Sequence, residues 1–281
     1  MNKNATIYER ITNRLLDQMR GGTLPWLKPW NADANAVIGL PRNGTTSRPY
    51  SGINIVVLWA SGFPDARWYT FNQARKLGAC VRRGEKGQEV LFFKTVTRVN
   101  DDDEEREVPI ARTFHVFNHS QIDWPEDGPS TPPPETYVDA QTVLDGSGAV
   151  IIHGGEHAMY RPRLDVISLP RFERFESTER YFTTALHELV HWTGHKSRLG
   201  RELVGQDDVE GYAFEELVAE LGAAFLAAQC GLPPDDRHHA AYLQSWIAVL
   251  EKDPGAFVRA ASKARKASEF LMETAATEQA A

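Results

Sequence analysis

Apolar positions along this chain recur with two different periods, and the change of period marks its organisation. Over residues 5–20, Ile11, Leu15, Leu16 and Met19 return every three to four positions among charged neighbours, which predicts an amphipathic helix ending at Gly21-Gly22. Further helices are expected at 52–60 and 71–77, and alternation predicts strands at 89–99 and 108–118. In the second half, strands are expected at 149–152 and 165–169, the latter as an edge on which a peptide would add as a further strand. A helix capped by Ser177 carries Tyr181, Phe182, Leu186, Leu189 and Val190 and stops near Gly194. A strongly apolar helix follows at 209–229, ended by Gly231, and two more at 236–252 and 255–275 close the chain. Between the halves, residues 124–134 hold five prolines and no periodic pattern, the signature of an extended and stiff linker. The expected class is α+β with two domains: an α+β domain at 1–124, a linker at 125–135, and a second domain at 136–281 whose helices pack over a small sheet.

At 281 residues with 42% hydrophobic content the chain is long enough for two cores, and it has no uncharged 18-residue apolar run that would span a membrane. Its first twenty residues lack the short apolar core of a signal peptide. Cys80 and Cys230 fall in different halves, which points away from a disulfide framework and from thiolate metal ligation. The expected location is a reducing cytoplasm. Charge divides sharply: residues 1–100 carry 15 Lys and Arg against 6 Asp and Glu, whereas the remainder carry 16 against 32. The first half therefore attracts polyanions and the second repels them. The acidic run 101–105 sits between two strands and is expected at a solvated hairpin tip.

Basic residues of the first half are interleaved with aromatics such as Trp26, Trp30, Tyr50, Trp68 and Tyr69, a mixture that suits single-stranded nucleic acid: rings stack on unpaired bases while cations track phosphates. Lys28, Arg42, Arg48, Arg75, Lys76, Arg82, Arg83 and Lys86 are the candidate DNA contacts. The turn Arg82-Arg83-Gly84-Glu85-Lys86-Gly87 is the foremost of these, because glycines on a turn project its charges into solvent.

The densest chemistry lies at His187-Glu188-Leu189-Val190-His191. On a helix this spacing sets two imidazoles one turn apart on one face with a carboxylate between them, the arrangement that holds Zn²⁺ and deprotonates water. Another divalent transition metal would suit the same donors. A catalytic site needs a third protein ligand, and the apolar helix at 209–229 carries Glu215, Glu216 and Glu220. A carboxylate is expensive to bury on an Ala/Leu/Phe face unless it meets a cation. We read Glu216 as the ligand and Glu220, four residues on, as acceptor for the free N–H of a ligating histidine. Glu215, rotated by about 100° from Glu216, is expected to face elsewhere and to matter little. His195 competes for the third place, but the HExxHxxGxxH pattern would need histidine where this chain has Ser197. The chemistry expected is amide hydrolysis with Glu188 as the base; Tyr160, Tyr212 and Arg198 remain open as donors to the oxyanion.

The segments GLPRNGTTSRPYSGINIVVLW, WYTFNQARKLGACVRRGEKGQEVLFF and FHVFNHSQID resemble the N-terminal domain of ArdC-type antirestriction proteins and of related conjugative primases. RPRLDVISLP, YFTTALHELVHWTGHKSRL and YAFEELVAELGAAFL resemble the zincin-like metallopeptidase domain that follows it in that family. The resemblance covers nearly the whole chain. It implies a plasmid-encoded protein that binds single-stranded DNA and protects incoming conjugative DNA, with His187, His191 and Glu216 as metal ligands and Glu188 as base. The implied partners are single-stranded DNA and an unidentified protein substrate, such as a host restriction or defence component, and no membrane. Antirestriction proteins that imitate duplex DNA are uniformly acidic, unlike this chain. A second reading keeps the DNA binding but treats the protein as a non-enzymatic shield whose metal site is structural or vestigial.

Overall fold

The computed structural model describes residues 3–27, 39–99, 105–126, 128, 137–205, 207–233 and 239–279. Lys28, Trp30, the tip at 101–104 and most of the proline-rich stretch, 127 and 129–136, lie outside the described residues. The first half begins with α1 (Lys3–Arg20), followed by β1 (Arg42–Asn43), α2 (Ile53–Trp59), β2 (Arg67–Thr70), α3 (Phe71–Lys76), β3 (Cys80–Val81), β4 (Gln88–Val99), β5 (Glu105–Asn118) and β6 (Ile122–Asp123). The second half contains α4 (Ala140–Ser147), β7 (Val150–His153), β8 (Met159–Arg161), β9 (Val166–Leu169), α5 (Thr178–Thr193), α6 (Val209–Gln229), α7 (His239–Lys252) and α8 (Gly255–Gln279). Helices and strands mix in both halves, as the α+β reading expects.

In the first half a four-stranded sheet has the order β1-β2-β5-β4, built on a long antiparallel hairpin in which Gln88 pairs with Val116 and Val99 with Glu105. Thr70 also pairs with Val116, so the end of β2 and the start of β4 lie at the same end of the sheet. α3 leaves from that end under a capping box: the Thr70 hydroxyl accepts from the Gln73 N–H while the Gln73 side chain accepts from the Thr70 N–H.

The second half has a three-stranded sheet of order β7-β9-β8, with β9 parallel to β7 and antiparallel to β8. This corrects the expectation that 165–169 is an edge. β9 is the central strand, buried at Ile167, Ser168 and Leu169, and the edges are β7 and β8. β8 escapes a reading of periodicity because three residues, Met-Tyr-Arg, are too few to show an alternation.

One hydrophobic core runs through both halves. α1 turns Ile11, Leu15, Leu16 and Met19 inward, and these join residues from α5, α6, α7 and α8 in a single cluster. Trp26, fully buried, packs edge-on against Trp246 at 5.6 Å and Phe257 at 6.1 Å between ring centroids. Thr12 donates to the Pro254 carbonyl at 2.7 Å, and Arg20 pairs with Glu251 at 2.7 Å on the surface above. Removing a buried indole from such a core costs about 3–5 kcal/mol. We therefore expect Trp26→Ala to lower the unfolding free energy of the full chain by about that amount in one cooperative denaturant transition. Two separate transitions, only one of them shifted, would contradict a shared core.

Candidate metal centre

α5 starts where the Ser177 hydroxyl accepts from the Arg180 N–H at 3.3 Å, and Glu179 in its first turn favours the positive end of the helix. Its buried face, with Tyr181, Ala185, Leu186, Leu189 and Val190, packs on the core, and His187, Glu188 and His191 are carried along one side of it. α6 starts under Asp208, whose side chain accepts from the Gly211 N–H. The two helices lie antiparallel, since His191 meets Glu215 and Glu216 while His187 meets Glu216 and Glu220. They approach closely at Gly222, where an added Cβ would lie 2.8 Å from a methyl of Val190.

Three donor groups converge between them. His187 Nε2 lies 3.2 Å from His191 Nε2 and 3.6 Å from one oxygen of Glu216, whose other oxygen lies 3.5 Å from His191 Nε2. Bonds of about 2.0–2.1 Å in a tetrahedral shell set ligand atoms roughly 3.3–3.4 Å apart, close to these spacings. Among the described residues these three form the group able to hold a metal ion. Behind them, Glu215 lies 3.2 Å from His191 Nδ1, and Glu220 lies 3.7 Å from His187 Nδ1, in ion-pair range but beyond a hydrogen bond. With each Nδ1 turned to a carboxylate, two neutral rings would set their Nε2 lone pairs face to face, an opposition that a proton on a ring or a cation between them relieves. Burial alone would lower the pKa of His191, but the Glu215 and Glu216 carboxylates outweigh it and hold the ring up to about 10; His187 is raised through Glu216 and Glu220. Burial would raise Glu216 and Glu215, yet the imidazoles, with Arg201 for Glu215, bring both below the usual carboxylate range. The pocket calls for positive charge, and its donor set fits a divalent cation.

Glu215 corrects the sequence reading. It is 6% exposed and turned into the cluster, where it accepts from Arg201 at 2.8 and 3.1 Å and braces His191. The 100° rotation from Glu216 moves it off the point where the three donors converge and onto the back of the imidazole, whose second nitrogen needs a partner. Arg201 also donates to the carbonyl of Val190 at 2.6 Å and to the Thr193 hydroxyl at 2.8 Å, satisfying the last turn of α5 while it neutralises Glu215. A second carboxylate beside Glu216 on so apolar a helix is a signal that the sequence does carry. Arg201, ten residues beyond His191, gives none. His195 takes no part in the cluster; its Nδ1 lies 2.7 Å from the Ser197 hydroxyl.

Glu188 is 8% exposed, and its Oε2 accepts from the Tyr160 N–H of β8 at 2.6 Å. The edge of the small sheet is thus tied to the carboxylate between the two histidines. Of the three residues left open as oxyanion donors, two are engaged elsewhere. The Tyr160 hydroxyl donates to Asp165 at 2.8 Å, and Arg198 forks Asp165 while its guanidinium lies 3.7 Å above the Trp192 ring centroid. Hydrogen bonds from Arg198 hold Asp165 down to about 2 against the opposing effect of its partial burial. Tyr212 instead lines the cleft beside Tyr242, a residue that no motif in the sequence singles out. The cleft, about 1230 Å³, is walled by β8, the histidine face of α5, the glutamate face of α6, and Trp26 and Leu27 from the first half.

The candidate DNA contacts lie elsewhere. Arg75, Lys76, Arg82, Arg83 and Lys86 are exposed within the α3–β3–turn segment, at the sheet end where Thr70, Val116 and Gln88 align. Arg48 is exposed in the loop after β1, which Asn43 ties to Gln73 of α3, and Arg42 is half-buried on β1 itself. Arg82 is partly occupied by Glu85 at 3.1 Å and by the Ser120 carbonyl, whereas Gly84, at φ 90°, turns the chain between Arg83 and Lys86.

Residues 5–117 match the family described as the N-terminal domain of anti-restriction factor ArdC, and residues 138–263 match the zincin-like metallopeptidase family. The DNA primase TraC of Escherichia coli is 40% identical over 94% of this chain, which spans only 27% of that protein's length. The metal-free crystal structure of the antirestriction ArdC protein from the R388 plasmid superposes with a TM-score of 0.82 at 37% identity, covering 96% of this chain and 98% of that one. Its Mn(II)-bound structure superposes at 0.80 and 38% identity.

The two adjacent glutamates are expected to differ in kind. Glu216→Ala should abolish stoichiometric Mn²⁺ or Zn²⁺ binding in calorimetric titration, whereas Glu215→Ala should weaken it by about 10–100-fold, the usual effect of losing a partner behind a ligand. By stranding the buried Arg201 guanidinium, Glu215→Ala should also lower the unfolding free energy by about 3–5 kcal/mol. Unchanged affinity and stability in Glu215→Ala would contradict the bracing role.

Proposed function

We propose, from the premise that this chain belongs to the ArdC family of antirestriction proteins, that it binds single-stranded DNA through its first half and hydrolyses a protein substrate in the cleft of its second. The observation that carries the peptidase reading is the convergence of His187, His191 and Glu216 beside the buried Glu188. His187, His191 and Glu216 would hold a divalent cation, zinc or manganese, which would supply Lewis acidity to polarise a carbonyl and acidify water. Glu188 takes a proton from the attacking water and returns it to the leaving amine nitrogen. Its bond from the Tyr160 N–H fixes one oxygen, so the carboxylate keeps its orientation when it gains and loses that proton. Glu215 and Arg201 hold His191 from behind, and Glu220 faces His187. A purely structural site would have no use for a base in that position, which favours an enzyme over a shield.

The DNA reading rests on charge and exposure. The first hundred residues carry the whole excess of positive charge, and Arg48, Arg75, Lys76, Arg83 and Lys86 are exposed on them. The acidic second half repels a polyanion, so DNA is kept to one side of the molecule. The family's antirestriction role then joins DNA held on one half to a protein target cut on the other.

Two expectations follow from this assignment. In the full chain, Arg75→Ala/Lys76→Ala and Arg83→Ala/Lys86→Ala should each flatten the dependence of log affinity on log salt by about 0.7 for every phosphate that is no longer neutralised, read from anisotropy of a labelled oligo-dT. An unaltered slope in both would move the DNA site off this end of the sheet. Glu188→Ala should keep metal and DNA affinity but lose hydrolysis of casein by the metal-loaded protein; retained hydrolysis would remove Glu188 as the base. Conjugation of that variant into a restricting recipient then tells whether protection follows the peptidase or the DNA binding.

A further inference from the structure

The cleft contains a phenol for which the roles above leave no use. Tyr242, on α7, lines it together with His187, Glu188, His191 and Glu216, and its hydroxyl lies 3.4 Å from that of Tyr212. Its place is fixed from behind. The ring stacks on Trp246 at 5.9 Å and 23° between planes, and the fully buried Trp246 donates its indole N–H to the Ala213 carbonyl at 3.1 Å. Trp246 in turn packs against Trp26 of the first half. The phenol therefore reaches the cleft from a rigid aromatic column, the kind of support a donor needs if it is to be in place before charge develops.

Resting on the peptidase reading, we propose that Tyr242 is a catalytic residue that donates a hydrogen bond to the substrate oxygen which becomes anionic during amide hydrolysis. Water adds to the scissile carbonyl carbon, its proton passes to Glu188, and the carbonyl π pair moves onto oxygen. The Tyr242 O–H, seconded by Tyr212, donates to that oxygen. The pair then returns to form the carbonyl, the C–N bond breaks, and Glu188 delivers its proton to the amine nitrogen. No proton leaves Tyr242 in this sequence, and its surroundings suit a donor that keeps one. Burial raises its pKa, and the charges of Glu216, Glu188 and Glu220 raise it further, against a lowering by its bond to Tyr212. The competing groups are less well placed: Asp165 engages both the Tyr160 hydroxyl and Arg198 at the β8–β9 turn.

The test uses the full-length protein loaded with Mn²⁺, comparing wild type with Tyr242→Phe, a change that removes one oxygen and keeps the ring in its stack. Metal affinity and thermal midpoint should not change. With quenched-fluorescent casein, kcat should fall on the order of 10²-fold with KM little altered, and affinity for a phosphonamidate dipeptide, whose tetrahedral oxyanion imitates the charged state, should fall by a similar factor. Unchanged kcat and phosphonamidate affinity would overturn the assignment. So would a loss of metal or of thermal stability that accounts for the lower rate, because Tyr242 would then be structural. A wild-type protein that loads metal but neither cleaves casein nor binds the phosphonamidate would instead overturn the peptidase reading itself, and this proposal with it.

Discussion

Two helices that bury charge on their facing sides can pack only if the charges between them balance. α5 and α6 are pressed together at Gly222 and Val190, with Glu188, Glu215, Glu216 and Glu220 gathered at their interface. Against these four carboxylates the cluster holds one guanidinium, Arg201, and two imidazoles that can be neutral or charged. At an interior dielectric that excess of negative charge is destabilising by far more than any surface pairing returns. Protons on the imidazoles relieve it in part, in keeping with the upward shift of His191, and a divalent cation would relieve it at the point where three donors meet. The contacts around this point hold it still. Arg201 closes the end of α5 and neutralises Glu215, Glu215 orients His191, and Tyr160 ties the sheet edge to Glu188.

The second constraint is the aromatic column that joins the halves. Trp26 lies between the opening helix and α7 and α8, and it also walls the cleft, so the half that carries the basic surface is built into the half that carries the metal donors. The chain is divided in charge but not in core. Exposed basic residues gather at the α3 end of the first sheet, away from the acidic cleft, while the packing that positions Tyr242 passes through residues of both halves.

What is legible in the sequence depends on how local its cause is. The two histidines are separated by one helical turn with Glu188 between them, so a spacing suffices to find them, and Ser177 and Gly194 bracket the helix by short-range capping chemistry. Glu216 is legible because a carboxylate in an apolar helix demands a cation. Glu215 is misread from sequence because helical rotation points it away from the convergence of His187, His191 and Glu216, while an imidazole has a rear nitrogen that such a rotation serves. Arg201 and Tyr242 are invisible as site residues, since nothing within a few positions of them announces which distant element they will meet, and Trp26, read from sequence among the rings that stack on bases, is instead fully buried in the shared core. β8 is too short to be seen, and β9 reads as an edge because the strand that covers it has no pattern of its own.

The central claim is that the buried carboxylates between α5 and α6 are organised around one divalent cation held by His187, His191 and Glu216. Anomalous diffraction from crystals of the full-length protein grown with Mn²⁺ tests it most directly. The account predicts a single strong peak at the α5–α6 interface, bonded to Nε2 of both histidines and to a Glu216 oxygen, with Glu215 behind His191 and out of contact with the ion. A peak bonded to Glu215 in place of Glu216, or no peak at this interface at saturating metal, would contradict it.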